Sequence, residues 1–381
     1  MDNILSEQAL DYIHSHVEKN INLLSELGRI PAPSHQEDKR AAFVKSWLEA
    51  QGAKGVYIDE AKNVIYPVGC DDHEDIVVIM AHMDIVFPDL EPLCLEIRDG
   101  KMYAPGIGDD TANLVQLLMT VKYIIENKKK PETGILFVAN ACEEGLGNLK
   151  GSKAIIDTWG SRVKEFISFD GYTGGVTNDA VGSHRYQVTV KTEGGHSFGN
   201  FGNSNAIVSL ASIIGTLYEK KVPTAAKTTY NVGTISGGTT VNSIAQEASM
   251  LYEFRSESRD CLKEMEQFFD SVIEMYRHMG MDLDVKVMGI RPCAGDVNRE
   301  KLEALTQRSC YITELITGQP CDVGANSTDS NIPLSMGIPA NTLGTIRGGR
   351  AHTREEWVDL SSVEEGFKIA MAVVLHYFKE A

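Results

Sequence analysis

The stretch "ACEEGLGN", residues 141–148, sets Glu143 and Glu144 side by side where the apolar run "GILFVAN" (134–140) ends. A charge at the mouth of a hydrophobic strand is drawn out of water and needs a partner or a metal. Three other apolar runs end in the same way. "DIVVIMA" (75–81) leads into His82 and Asp84, "EFISF" (165–169) into Asp170, and "IPANTLG" (338–344) within a few residues to "GGRAHTREE" and His352. Between the first two lies "GIGDDTAN" (106–113), which carries Asp109 and Asp110 on a glycine-containing loop. Histidines and carboxylates without thiolates suit catalytic zinc, with cobalt or manganese as substitutes. A pair of divalent ions needs a bridging carboxylate, a terminal His and carboxylate for each ion, and a spare Glu to take a proton from water. The inventory supplies that count.

Each residue also has a plainer reading. His82 beside Asp84 suits a hydrogen-bonded core pair, and one of Asp109 and Asp110 suits the N-cap of a helix over 112–126. Glu143 and Glu144 suit a polar strand end, and Asp170 suits the turn "DGYTGG". One cap does not need two aspartates, however. Carboxylates gathered on one rim raise one another's pKa and cost stability unless a cation sits among them.

The elements that must position these residues follow from hydrophobic period. Over residues 1–182, continuous apolar β-type runs alternate with helical patterns, as in Leu114, Leu117, Leu118, Val121 and Ile125 on one side of 112–126. That alternation predicts a mostly parallel sheet covered on both faces, whose C-terminal strand edge is where sites are built. Residues 296–381 return to the pattern, with a helix near 299–316 and a last helix from about 362, announced by the capping-box spacing of Ser361 and Glu364. Between them, "HRYQVTVK" (184–191), a helix at 204–220, "TTYNVGTIS" (228–236), "EASMLYEF" (247–254), a helix at 259–279 and "DLDVKVM" (282–288) give the order β-α-β-β-α-β. The expected architecture is an α/β domain, residues 1–182 and 296–381, interrupted by a ferredoxin-like domain at 183–295.

Composition sets the class of partner. The chain has 381 residues, 43% hydrophobic and 23% charged, with a formal charge of −17, which argues against nucleic acid and anionic membranes as partners. The polar start "MDNILSEQALDYIHSHVEKNINLL" reads as neither signal nor transit peptide, and no segment has the apolar length of a membrane span. Seven scattered cysteines, odd in number and never spaced C-x-x-C, fit a reducing cytoplasm.

The motifs "AHMD", "GIGDDTAN", "ACEEG", "FDG" and "GGRAHTREE", in this order, resemble the di-zinc exopeptidase and deacylase family that contains peptidase T, glutamate carboxypeptidase, acetylornithine deacetylase and succinyl-diaminopimelate desuccinylase. The resemblance spans nearly the whole chain. It implies two divalent metals, most simply zinc, with His82 and Asp170 on one, Glu144 and His352 on the other, and Asp109 as the bridge. It implies Asp84 as the carboxylate that orients the His82 ring and Glu143 as the general base, later the acid that protonates the leaving amine. From the inserted domain, His196 in "GGHSFGNFGNSNAI" is implied as the oxyanion donor. Asn242 and Arg255 are implied as substrate ligands, and the domain itself as a lid and dimerisation element. "GANSTDSN" (324–331) resembles a pocket-edge loop, and Glu356 keeps the family's spacing from Gly349 and His352.

One departure stands out, since Thr111, Ala112 and Asn113 follow the aspartate pair where family members commonly have Lys and a small residue. Asp at position 170 resembles the aminopeptidase and dipeptidase members, whereas Glu goes with carboxypeptidases and deacylases. The sequence thus points to a zinc aminopeptidase acting on short peptides, of the tripeptidase kind. The alternatives are a deacylase of N-acyl amino acids and, from another class, a non-catalytic metal- or peptide-binding relative. A retained Glu143 argues against the last, because a binding module has no use for a base beside a ligand.

Overall fold

The computed structural model describes residues 4–379. Its largest sheet is assembled from the apolar runs. Ile76–His82 and Gly134–Asn140 are buried at every position, and because successive strand side chains point to opposite faces, both faces of the sheet must be covered. Eight strands line up in the order Tyr57–Ile58, Val64–Val68, Gly134–Asn140, Ile76–His82, Val163–Phe169, Ala340–Leu343, Gly175–Ala180 and Asp322–Asn326. The middle four are parallel, while Val64–Val68 and Gly175–Ala180 join them antiparallel. Four C-terminal strand ends therefore share one edge.

The chain divides into two compact units, one reaching Ala180 and resuming at Gly295, the other Val181–Ala294. In the first, helices Glu7–Leu27, Asn113–Glu126 and Val363–Leu375 pack on one another, with Leu24, Leu114 and Phe367 fully buried. Each such side chain contributes about 2 kcal/mol by leaving water. The helix that starts at Glu7 is capped by Ser6, whose side chain accepts the Ala9 N–H at 3.3 Å. The last helix does not use the capping box read from Ser361 and Glu364. A short 3₁₀ turn, Leu360–Ser362, comes first, and Asp359 caps it by accepting the Ser361 N–H at 2.9 Å. Glu364 pairs instead with Lys368 one turn on, at 2.8 Å. A better-placed carboxylate two residues upstream has taken the cap.

A small antiparallel sheet, in the order Gly348–Gly349, Trp357–Asp359, Lys101–Tyr103 and Glu96–Arg98, holds the loop that bears His352. Among the described residues no helix is long and apolar enough to cross a membrane.

The second unit has its own antiparallel sheet, ordered Thr228–Gly237, Glu247–Ser256, Gly182–Lys191 and Asp282–Arg291. Alternation explains it. Tyr186, Val188 and Val190, with Met250, Tyr252 and Phe254, are buried on one face, packed with Leu210, Ile213, Phe269 and Ile273 of helices Ala206–Tyr218 and Arg259–His278. Connection order and sheet order together make the ferredoxin-like β-α-β-β-α-β arrangement.

Candidate metal centre

The turn that follows strand Gly134–Asn140 is held at four successive backbone N–H groups, each by a buried side chain. Asn63 Oδ1 accepts from Ala141 at 3.0 Å, Glu37 Oε1 from Cys142 at 3.1 Å, Asp84 Oδ1 from Glu143 at 2.9 Å and Asp84 Oδ2 from Glu144 at 3.0 Å. Buried N–H groups need acceptors, and here the acceptors come from three separate parts of the chain. Gly147 closes the turn, donating its N–H to Glu144 O at 2.7 Å. A Cβ at that position would lie 2.7 Å from the Cys142 backbone.

Asp109 and Asp110 sit in a π turn, Ile107–Ala112, that precedes helix Asn113–Glu126. Neither is the helix N-cap, which is Ala112. The turn is entered through Gly106 at φ +68°, where a Cβ would meet the Ile85 side chain at 2.2 Å. Glu356, buried, fixes it by accepting the N–H groups of Gly106, Gly108 and Asp109 at 2.9, 2.8 and 2.7 Å. Thr111 and Asn113, the departures from the family pattern, also have structural work. Thr111 Oγ1 donates to Gly106 O at 2.6 Å and accepts from Arg40 at 3.1 Å. Asn113 donates to Asp110 Oδ1 and Gly171 O and accepts from the Thr345 N–H.

Asp109 lies between the two histidines. Its Oδ1 is 3.1 Å from His82 Nε2 and its Oδ2 is 3.2 Å from His352 Nε2. Asp170 Oδ1 lies 3.9 Å from His82 Nε2, and Glu144 Oε1 lies 3.3 Å from His352 Nε2. Ligand atoms of His82, Asp109 and Asp170 lie within 4.8 Å of one another, as do those of Asp109, Glu144 and His352, and of His82, Glu143 and Glu144. Glu143 and Glu144 are both buried.

The donor set fits a pair of cations. His82 Nδ1 faces the Asp84 carbonyl oxygen at 3.0 Å, an acceptor only, so the ring proton is on Nδ1 and Nε2 of the neutral ring offers a lone pair. That lone pair points at a carboxylate oxygen, an arrangement that is stable only with a positive charge in the gap. Burial opposes charge on His82, yet Asp110, Asp109, Asp84 and Asp170 together raise its pKa well above the ordinary range. Asp109 and Glu144 raise His352 to about 10. Burial pushes Glu144 up to about 7, helped by Asp109 and its neighbour Glu143, and pushes Asp170 well above the usual carboxylate range, with Asp109 adding to it. No Lys or Arg ion pair reaches Asp109, Asp110, Asp170 or Glu144 among the described residues. Protons must therefore occupy the cluster when cations do not.

Asp84 has a further part beside the one expected of it. Its carboxylate is 3.6 Å from His82 Nδ1, and its oxygens are taken by the Glu143 and Glu144 N–H groups and by Ser34 Oγ at 2.6 Å. The backbone carbonyl of Asp84, two residues along the same turn, is the closer partner of the ring. Three buried groups escaped the sequence reading, Glu37, Arg40 and Asp110 as the acceptor of the His82 N–H at 2.9 Å, while Asp329 of the 324–331 loop accepts from Asn140 at 2.6 Å. Arg40 spends its guanidinium on the carbonyls of Leu27, Ile30 and Met83 and on Thr111. Asp84, the Glu356 spacing and the 324–331 loop were the signals for this supporting layer.

His196, Asn242 and Arg255 belong to the second unit. Within it, His196 pairs with Ser243 in a two-stranded ribbon, and the Asn242 carbonyl accepts the Ser197 N–H at 2.9 Å, so His196 and Asn242 are neighbours. His196 is exposed, and its Nδ1 accepts from the Phe198 and Gly199 N–H groups at 3.2 and 3.3 Å. Arg255 is engaged by Glu253 through Nε at 3.0 Å and Nη2 at 3.1 Å.

Comparison with known proteins supplies the context for this geometry. Residues 78–376 match the model of peptidase family M20/M25/M40. A probable succinyl-diaminopimelate desuccinylase from Staphylococcus aureus (strain N315) is 21% identical, with 95% of this chain and 98% of that protein covered. The solved aminopeptidase PepT from Bacillus cereus superposes with a TM-score of 0.69 at 21% identity, covering 94% of this chain and 98% of the other. A tripeptidase from S. aureus gives a TM-score of 0.72 at 21% identity, covering 94% and 97%. These structural likenesses speak for the fold, and the family match for the kind of chemistry. With a family match over most of its length and two His-carboxylate clusters at the strand edge, the chain belongs to peptidase family M20/M25/M40 and is a metallopeptidase-type hydrolase.

Proposed function

We propose that the protein is a zinc exopeptidase that removes the N-terminal residue from short peptides, as a tripeptidase does. The observation that carries this reading is Asp109, whose two carboxylate oxygens face two different imidazoles beside the buried pair Glu143 and Glu144. In this reading His82, Asp109 and Asp170 hold one ion and Asp109, Glu144 and His352 the other. Bound there, divalent ions supply Lewis-acid polarisation and make water acidic enough to attack at neutral pH. Glu143 takes the proton of the attacking water and returns it to the leaving amine nitrogen. Asp84 orients the His82 ring and holds Glu143 and Glu144 in place through their backbone N–H groups. His196 stabilises the oxyanion, and the hydrogen bonds at its Nδ1 support this by leaving the neutral ring's proton on Nε2. Asn242 and Arg255 bind polar groups or the carboxylate of the substrate.

Asp170 and the aminopeptidase and tripeptidase relatives support a free α-amino group in the substrate, while the desuccinylase relative favours a second reading, an N-acyl-amino-acid deacylase. A panel of tripeptides assayed beside the same peptides N-acetylated, with chelated protein as control, separates the two. Cleavage of free peptides from the N-terminal end supports the first, and cleavage of acylated substrates alone supports the second.

The reading includes a homodimer formed through the second unit. Helix Ala206–Tyr218 has no charged residue although Val208 is 62% exposed, and the edge strand Thr228–Gly237 is also uncharged. An apolar helix face and an unblunted sheet edge ask for a partner. Sedimentation should report a dimer that Val208→Glu weakens, and a wild-type monomer would remove this part. Seven cysteines, none in a disulfide among the described residues, support a cytoplasmic site of action. Disulfides in protein taken from its native cell would contradict it.

A further inference from the structure

Glu37 occupies the N-cap position of helix Asp38–Ala50 but makes no cap hydrogen bond. A side chain at that position ordinarily turns back on its own helix. Glu37 instead reaches 105 residues along the chain, to the turn before the adjacent glutamates. A single oxygen, Oε1, accepts the Cys142 N–H at 3.1 Å, the Cys142 thiol at 3.2 Å and the His35 N–H at 2.8 Å. The other, Oε2, accepts no hydrogen bond and lies 4.0 Å from Lys62 Nζ. Glu37 is fully buried, so desolvation of its carboxylate has to be offset by these bonds.

Cys142 is the residue that needs holding. It sits at φ +60°, in the left-handed region that a Cβ disfavours by about 1 kcal/mol or more. It is also the link between the strand and Glu143. The direction in which the chain leaves Asn140 and presents Glu143 and Glu144 depends on that one conformation. Asp84 fixes the two N–H groups downstream and Asn63 the one upstream, and Glu37 grips the strained residue itself at its N–H, sharing the thiol with His35 Nδ1 at 3.3 Å.

We propose that Glu37 is a positioning residue for hydrolysis, which locks Cys142 in the left-handed conformation and thereby aims Glu143. The inference rests on Glu143 as the base in the proposed function. It makes an unusual claim about chemistry at position 37. What matters is an acceptor at Oε1, not a negative charge, so glutamine should serve and leucine should not. It also makes a claim about position 142, where glycine adopts φ +60° without penalty and needs no clamp.

The test compares Glu37→Gln, Glu37→Leu and the double variant Glu37→Leu/Cys142→Gly, each at saturating metal and with folding checked by thermal melting. Glu37→Leu should lower kcat by about 100-fold with little change in KM, the signature of a misaimed group. Glu37→Gln should lose far less, and Cys142→Gly should recover most of the loss in the Leu background. A double variant no better than Glu37→Leu, or a Gln variant as poor as Leu, overturns the proposal. Glu143→Gln, measured alongside, keeps the two claims apart. If it remains active, the base assignment fails, while the rescue by glycine still reports whether Glu37 sets the turn.

Discussion

The rim of the large sheet and the His196 loop of the second unit hold polar groups by opposite means. At the rim, Asp84, Asp109, Glu143, Glu144 and Asp170 are buried or nearly so, and the backbone beneath them is pinned by side chains from Glu37, Asn63, Asp84 and Glu356. In the loop, His196 is exposed and its ring receives two local N–H bonds. Two phenylalanines beside it, Phe198 and Phe201, stand 89% and 91% exposed. Groups that meet a fixed cation are built to stay still, at the cost of burying charge. In the proposed function His196 meets a transient oxyanion, a role that would suit a lightly mounted loop group.

That contrast predicts a graded set of losses. The largest belongs to Glu143→Gln, which should bind two metals yet lose about 1,000-fold in kcat. Metal analysis and steady-state rates check both halves, and unchanged turnover would take Glu143 out of the base role. His352→Ala should reduce bound metal from two equivalents to one after dialysis, because the second cluster loses its only nitrogen ligand. Two retained equivalents would break that ligand assignment. His196→Ala should cut kcat by about 100-fold with metal content intact, and metal loss without a rate effect would reverse the contrast between rim and loop.

Asp84→Asn tests whether the rim is pinned as tightly as its hydrogen bonds imply. An amide has one acceptor where the carboxylate has two, so one buried N–H among Glu143 and Glu144 is left facing a donor. The metal-free protein should lose about 1–3 kcal/mol of stability, seen as a lower melting temperature, and an unchanged melt would mean that the pinning is slack. Arg255→Ala should have the smallest effect, a rise in KM of less than about tenfold, since its guanidinium is already shared with Glu253. A larger effect on kcat than on KM would give Arg255 a part in the transition state.

What could be read in the chain before its fold was known follows the same divide. The parallel strands were legible because buried strands are continuous apolar runs, and the inserted sheet because one covered face imposes a period of two. The strand-end histidines and carboxylates were legible because chemistry-bearing residues interrupt those runs abruptly. Glu37 and Arg40 carry no such mark. Their partners, Cys142 and Met83, are 105 and 43 residues away, and nothing in the local pattern separates a buried Glu or Arg from a solvated one. The strands Gly348–Gly349 and Trp357–Asp359 that present His352 are two and three residues long, too short to show any period. Ser361 and Glu364 had the spacing of a capping box, but Asp359 competes for the same N–H groups and wins by position.

Asp109 is proposed to bridge two cations, which anomalous X-ray scattering at the zinc edge from crystals of the zinc-loaded protein would test. Two peaks are expected, one among His82, Asp109 and Asp170 and one among Asp109, Glu144 and His352. A single peak, or peaks away from Asp109, would contradict it.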